Sequence, residues 1–183
     1  MRQRERIQRF VSVLWDWFDH HKRDLPWRDL RITDDAQRAY QILVSEVMLQ
    51  QTQVARVITV YQHFLQLFPE LQDLADASNK DVLLAWRGMG YNSRALRLRD
   101  AAKEIVQLSE VRSTKYEVRR NCTFFPSTMN ELTAIKGIGP YTAAAIRNFA
   151  FHLPTPCLDT NIRRVLHRAF YGPEHPEIGR AHV

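Results

Sequence analysis

The sequence has only two cysteines, Cys122 and Cys157. Two are too few for a disulfide framework or a four-cysteine metal site. No apolar run approaches the ~20 residues that a membrane-spanning helix requires. The N-terminal stretch Met1-Arg-Gln-Arg-Glu-Arg6 leads into an amphipathic segment rather than a continuous apolar one, which does not read as a secretory signal. No run of alternating apolar and polar residues competes with the helical patterns, so the fold class expected is all-α. The chain is therefore expected to be soluble and intracellular, cytoplasmic and nucleoid-associated if bacterial, without a membrane partner. What is present is basic: 26 Lys and Arg against 20 Asp and Glu in 183 residues, with a pI of 9.6. That balance favours a polyanionic partner, although it serves solubility equally well. The length suits one compact domain, or one and a fraction.

The chain is organised around Leu132-Thr-Ala-Ile-Lys-Gly-Ile-Gly-Pro-Tyr-Thr-Ala-Ala-Ala-Ile146. Thr128 and Glu131 make a capping box that starts one short helix. Gly137 and Gly139 permit the positive φ or close approach of a tight turn, and Pro140 suits the first turn of the next helix. Free backbone N–H groups at that helix N-terminus, with Lys136 beside them, suit a phosphate. A plain αα-hairpin that binds nothing has the same pattern.

Elsewhere Ile7, Phe10, Val11, Leu14, Trp17 and Phe18 fall at helical spacing, and Leu25-Pro26-Trp27-Arg28 follows as an extended turn. A Trp beside an Arg can stack on a planar ring; a Trp beside a Pro also packs locally. Tyr40 to Leu67 reads as two helices or one bent helix. Within it Glu46 has Ile42, Leu43 and Leu49 as helical neighbours, an apolar surround that would raise its pKa. At a helix edge the same residue would point to water. Gln50, Gln51 and Gln53 are uncharged donors and acceptors suited to base edges, or to a solvated face. Asp81 to Trp86 makes a short helix, stopped in Arg87-Gly-Met-Gly-Tyr-Asn-Ser93, where Tyr91 on a turn can wedge into a base stack. Another helix carries Leu98, Ala102, Ile105 and Val106. Ser109 to Asn121 is charged, lacks period and reads as a surface loop. Asp159 sits at the N-cap of a last helix with Ile162, Val165, Leu166, Ala169 and Phe170 on its apolar face.

Leu25-Pro-Trp-Arg28, Ser45-Glu-Val-Met-Leu-Gln-Gln-Thr-Gln53, Gly88-Met-Gly-Tyr91, Lys136-Gly-Ile-Gly-Pro-Tyr-Thr142 and Leu158-Asp-Thr-Asn-Ile-Arg-Arg-Val-Leu166 occur in order and at approximate spacing. In this they resemble the helix-hairpin-helix base-excision glycosylases. Within that superfamily the chain is most similar to MutY-type adenine DNA glycosylases, which remove adenine mispaired with 8-oxoguanine. The resemblance runs from about Val11 to Gly172, and the block around Glu46 is its most specific part. It implies that Glu46 is the general acid and that Asp159 stabilises or captures the sugar cation. Tyr141 matches a tyrosine beside that acid pair, and Asn161 an asparagine that supports the acid and the water. Trp27 and Arg28 would line the pocket for the flipped base, and Gln51 and Tyr91 would probe the duplex. Tyrosine at 141, where lyase relatives carry a Schiff-base lysine, implies a monofunctional enzyme.

The resemblance also implies the architecture: a six-helix barrel domain over 29–146 and part of a second helical domain. The latter comprises the N-terminal helix and pocket turn over 1–28 and a C-terminal start over 147–176 that carries Asp159. The sequence departs from the family with Thr160 in place of the usual Gly, Asn92 in place of a second Tyr, and a longer 109–121 segment. The four cysteines of the [4Fe–4S] cluster implied for the full-length protein are absent, so no cofactor is expected in this chain. Ile178-Gly-Arg-Ala-His-Val183 reads as a non-native tail of the kind a sequencing adapter encodes. The expected partner is double-stranded DNA carrying a mispaired or damaged base, bound by a monomer. A thymine–guanine mismatch glycosylase and a non-catalytic DNA-binding module are the competing readings; the Gln50–Gln53 run favours adenine over thymine.

Overall fold

A computed structural model describes residues 3–28, 31–116 and 124–172. Among these there are nine helices and no strand: α1 Gln3–His21, α2 Asp35–Leu49, α3 Val54–Leu67, α4 Leu71–Asp76, α5 Asn79–Ala85, α6 Ser93–Tyr116, α7 Met129–Ala134, α8 Pro140–Phe149 and α9 Thr160–Tyr171. None is long and apolar enough to cross a membrane.

The centre of the fold is α2. From Ala39 to Met48 every residue but Gln41 is buried, so the helix has no solvent face and is apolar almost all round. It packs against α8, α3 and α6. Each Leu, Ile or Val it buries contributes about 1.5–3 kcal/mol, which fixes its rotation and depth. Three small residues, Ala143, Ala144 and Ala145, are buried on α8 and admit α2 at short range. The stretch 40–67 is two helices rather than one bent helix, broken at Gln50–Gln53. Asp34 caps α2 by accepting from the Gln37 N–H at 2.8 Å.

The hairpin forms as its residues predict. Thr128 and Glu131 complete the capping box of α7, and Pro140 opens α8. Gly137 has φ +100°, a conformation that suits glycine. Gly139 differs from expectation: its φ is −83° and a Cβ there would meet nothing within 4 Å, so no protein contact demands glycine. Asp159 caps α9, accepting from the Ile162 N–H at 2.6 Å.

Two elements depart from the sequence reading. Helix α4 was not expected; its Glu70–Asp73 capping box lacks the usual Ser or Thr. The segment from Ser109 is helical through Tyr116 as the end of α6; charge without period does not by itself exclude a helix. Residues 117–123, including Cys122, lie outside the described residues, as does the 178–183 tail.

Helix α1 buries no residue. It meets α9 through Phe10 edge-on to Phe170, with centroids 5.2 Å apart, and through Arg6, which donates to the Ala169 carbonyl at 2.9 Å. The turn that follows it belongs instead to the main core, through Trp27.

Candidate active site

Glu46 lies on the side of α2 enclosed by the turn at 26–28, α8 and the loop into α9. Its side chain is 4% exposed, which removes the reading of an acid at a helix edge. Burial pushes its pKa above the ordinary carboxyl range, partly opposed by the Arg28 guanidinium. The Arg28 Nη2 stands 3.7 Å from Oε1, beyond hydrogen-bond distance, and among the described residues the buried Oε1 has no hydrogen-bond partner. The indole Nε1 of Trp27 is a second buried orphan. Each unsatisfied group costs about 1–3 kcal/mol. A buried donor and a buried acceptor left open invite a ligand or water to supply the partners.

Two further groups, Tyr141 and Cys157, lie within electrostatic reach of both the acid and Asp159. The Tyr141 phenol is pushed up to about 12 by partial burial and then by Glu46, Cys157 and Asp159, with Arg28 acting in the opposite sense. It is therefore a neutral donor at physiological pH. Cys157 carries a thiol raised by burial, Glu46 and Asp159, and its Sγ lies 3.7 Å from the Tyr141 carbonyl, which accepts. Asp159 uses Oδ1 to cap α9, which leaves its second oxygen for the site.

The loop bearing Cys157 and Asp159 is tied back onto α8. Asn148 and Thr155 exchange two bonds, at 2.7 and 2.8 Å, and Arg147 Nε donates to the Thr155 hydroxyl at 2.8 Å. These bonds, made by residues that sequence reasoning did not single out, set where α9 begins.

Trp27 is fully buried and edge-on to Tyr61, with centroids 5.3 Å apart. The guanidinium of Arg28 lies 3.8 Å over the Phe149 ring. Asn161 is exposed, and its Oδ1 accepts from Arg164 at 2.9 Å; it is not among the groups brought against Glu46. Thr160 is likewise exposed and opens α9 without crowding it.

The residues expected to grip and probe a duplex form a separate, exposed set. Lys136 is exposed, while its backbone N–H donates to Glu104 at 3.2 Å. Gln51 and Tyr91 both adopt positive φ, 54° and 47°, an uncommon conformation for a non-glycine residue, and Gln50 is exposed beside them. What holds the two loops is Arg94, a residue missed in the sequence because its partners are distant in the chain. Buried at 6% exposure, it donates to the Val47 carbonyl at 3.1 Å, the Met48 carbonyl at 3.2 Å, the Thr52 hydroxyl at 3.0 Å and the Met89 carbonyl at 3.2 Å. It also donates to the Gln50 carbonyl. Arg94→Met keeps the stem but orphans these acceptors, and urea unfolding is expected to show a loss of about 3 kcal/mol. A loss under 1 kcal/mol would remove the role.

Among the described residues no group of three or more His, Cys, Asp or Glu can hold a metal ion. A [4Fe–4S] cluster needs four thiolates, and the whole chain has two cysteines. The residues present do not fit that cofactor.

An all-helical fold that sets a helix-hairpin-helix turn beside a buried acid and a capping aspartate defines the class of helix-hairpin-helix glycosylases. Residues 44–180 match the HhH-GPD superfamily of base excision DNA repair proteins, and the chain belongs to that family. It is 43% identical over 164 residues to the adenine DNA glycosylase of Mus musculus, covering 88% of this chain and 30% of that protein. With the adenine DNA glycosylase of Mycolicibacterium smegmatis it shares 39% identity over 159 residues, covering 87% and 48%. The chain thus spans less than half the length of these relatives. In fold it is similar to a thermostable thymine-DNA glycosylase, with a TM-score of 0.76 at 24% identity, over 92% of this chain and 70% of that one. It is also similar to endonuclease III in a DNA complex, with a TM-score of 0.69 at 19% identity, over 92% and 69%.

Proposed function

We propose that this chain carries the catalytic centre of a monofunctional DNA glycosylase that hydrolyses the N-glycosidic bond of adenine mispaired with 8-oxoguanine or guanine. The observation that carries the reading is Glu46: an acid buried in a central helix, raised by that burial, with one oxygen left without a partner. An isolated structural acid would gain nothing from such a place.

The chemistry has two difficulties, and the site has a group for each. Departure of adenine needs a proton on the base, which the protonated Glu46 donates to a ring nitrogen as the C–N bond breaks. The bonding pair leaves with the base, and the sugar is left as an oxocarbenium-like cation that the Asp159 carboxylate faces. Water then adds to the sugar carbon, and its proton returns to Glu46. Two carboxyl groups divide glycoside hydrolysis in the same way. Tyr141, as a phenol, forms no Schiff base, so strand cleavage is not coupled. The base reaches the acid only after leaving the stack. Tyr91 and Gln51 on their fixed loops suit the wedge this requires, and the hairpin at Lys136–Gly139 suits a phosphate.

Single-turnover assays on duplexes carrying adenine opposite 8-oxoguanine, adenine opposite guanine, and thymine opposite guanine test the reading. Release of adenine, with the strand intact until alkali is added, is the expected result. Release of thymine alone would assign the mismatch to the competing enzyme class, and tight binding without any release would leave a DNA-binding module. The phosphate grip makes its own prediction. Lys136→Ala should weaken binding to every duplex alike and reduce the slope of log affinity against log salt by about one. A loss confined to one mispair would remove the phosphate role.

A further inference from the structure

We propose that Phe149 is a positioning residue, whose ring holds the Arg28 guanidinium against the Glu46 carboxyl. The inference rests on the reading of Glu46 as the acid of the site. Arg28 closes the turn at 26–28, where its N–H bonds the Leu25 carbonyl at 2.9 Å, and its side chain is one-third exposed. A long side chain in that position must lose its rotamer freedom before it stays in one place. Its one close ionic contact among the described residues, with Glu46 at 3.7 Å, is too long to fix a planar fork. The second contact supplies the constraint: the guanidinium carbon lies 3.8 Å from the centre of the Phe149 ring, well within the range of a cation–π pair.

Phe149 is the last residue of α8, and its neighbours on either side are held. Asn148 is bonded to Thr155, and the Ala150 N–H donates to the Ile146 carbonyl at 2.9 Å. The ring itself is 40% exposed, so it is poorly used as core and well placed as a face for the cation. Among the described residues, Tyr141 from α8 and Cys157 from the loop each lie within electrostatic reach of Glu46, of Arg28 from the turn and of Asp159 at the head of α9. Arg28 is the only cation in that set. Burial and Arg28 act on the acid in opposite senses, so the position of one guanidinium decides how far burial prevails. A ring that only packed would be replaced by any apolar side chain of similar size without effect on Glu46.

The test titrates Glu46 directly, by carboxyl-carbon NMR on glutamate-labelled chain, with Glu46→Gln to assign its signal. Phe149→Leu keeps apolar packing and removes the aromatic face; Phe149→Tyr restores the face. Phe149→Leu is expected to raise the Glu46 midpoint by roughly 1 pH unit, Arg28→Ala to raise it at least as far, and the double variant to go no further than Arg28→Ala. Phe149→Tyr should titrate like the parent. An unmoved midpoint in Phe149→Leu, an equal shift in Phe149→Tyr, or additive shifts in the double variant would overturn the proposal. The NMR readout does not depend on turnover. A parent that releases no base on the mispair panel would remove the glycosylase reading while the titrations still decide the role of Phe149.

Discussion

Glu46→Gln is expected to slow base release in single turnover by about 10²–10⁴-fold, the usual contribution of a general acid, while leaving duplex affinity near that of the parent. Glutamine keeps the shape of the side chain and its place among Ile42, Leu43 and α8 but has no proton to transfer. The parent rate should itself fall as pH rises through the elevated pKa of Glu46, and the variant should lose that limb. Stability should move the other way. A carboxyl whose folded pKa lies above its unfolded value binds more protons folded than unfolded in the interval between them, so stability falls as pH climbs through that interval. Glutamine abolishes the penalty. Urea midpoints of the variant are therefore expected to exceed those of the parent at neutral and alkaline pH and to converge with them in acid, where both forms are uncharged. A variant that releases adenine at the parental rate would end the catalytic assignment of this residue.

Asp159 carries the second large effect, and here two substitutions separate chemistry from structure. Asparagine is as good a helix cap as aspartate, so Asp159→Asn should preserve the bond from the Ile162 N–H and the start of α9. It removes only the negative charge offered to the sugar cation. We expect a fall of about 10²–10³-fold in single-turnover rate, the scale on which a single preorganised electrostatic group acts. Asp159→Ala removes both functions and should cost about 1 kcal/mol of stability in addition, visible as faster amide exchange in the first turn of α9. If Asn matched the parent in rate and Ala did not, capping would be the whole role of the residue.

The parts of the fold written in local sequence were legible. Thr128 and Glu131, Pro140, and Asp159 each act on a partner three residues away or on their own turn, and each capped or opened the helix it announced. Glu46 was legible only in part. Its apolar neighbours at positions 42, 43 and 49 suggested burial, but the choice between a buried acid and an edge acid depended on whether α2 has a solvent face. That depends on α8 and α3 packing around it, which no single stretch states. Helix α4 was hidden because its cap is an acidic pair rather than a Ser or Thr. The charged end of α6 was hidden because a solvated helix and a solvated loop have similar composition. Least legible were the long-range pairs: Arg94 with the carbonyls of two loops, and Arg28 with Phe149. Arginines at such spacings are common and say nothing of the faces they meet. Cys157 was counted among the cysteines and passed over, since its relevance comes only from standing beside Glu46, Tyr141 and Asp159.

Arg94 has a bearing on ionic strength. It is a buried guanidinium whose two Nη atoms donate to carbonyl and hydroxyl oxygens; among the described residues its Nε has no partner and no carboxylate is paired with it. The chain therefore keeps an uncompensated positive charge beneath the two loops that bear Gln51 and Tyr91. Mobile ions reach such a site poorly and screen it less than they screen surface lysines. For a polyanion resting on those loops, its own phosphates are the counter-charge. Part of the attraction should then persist at salt concentrations that suppress the contribution of Lys136.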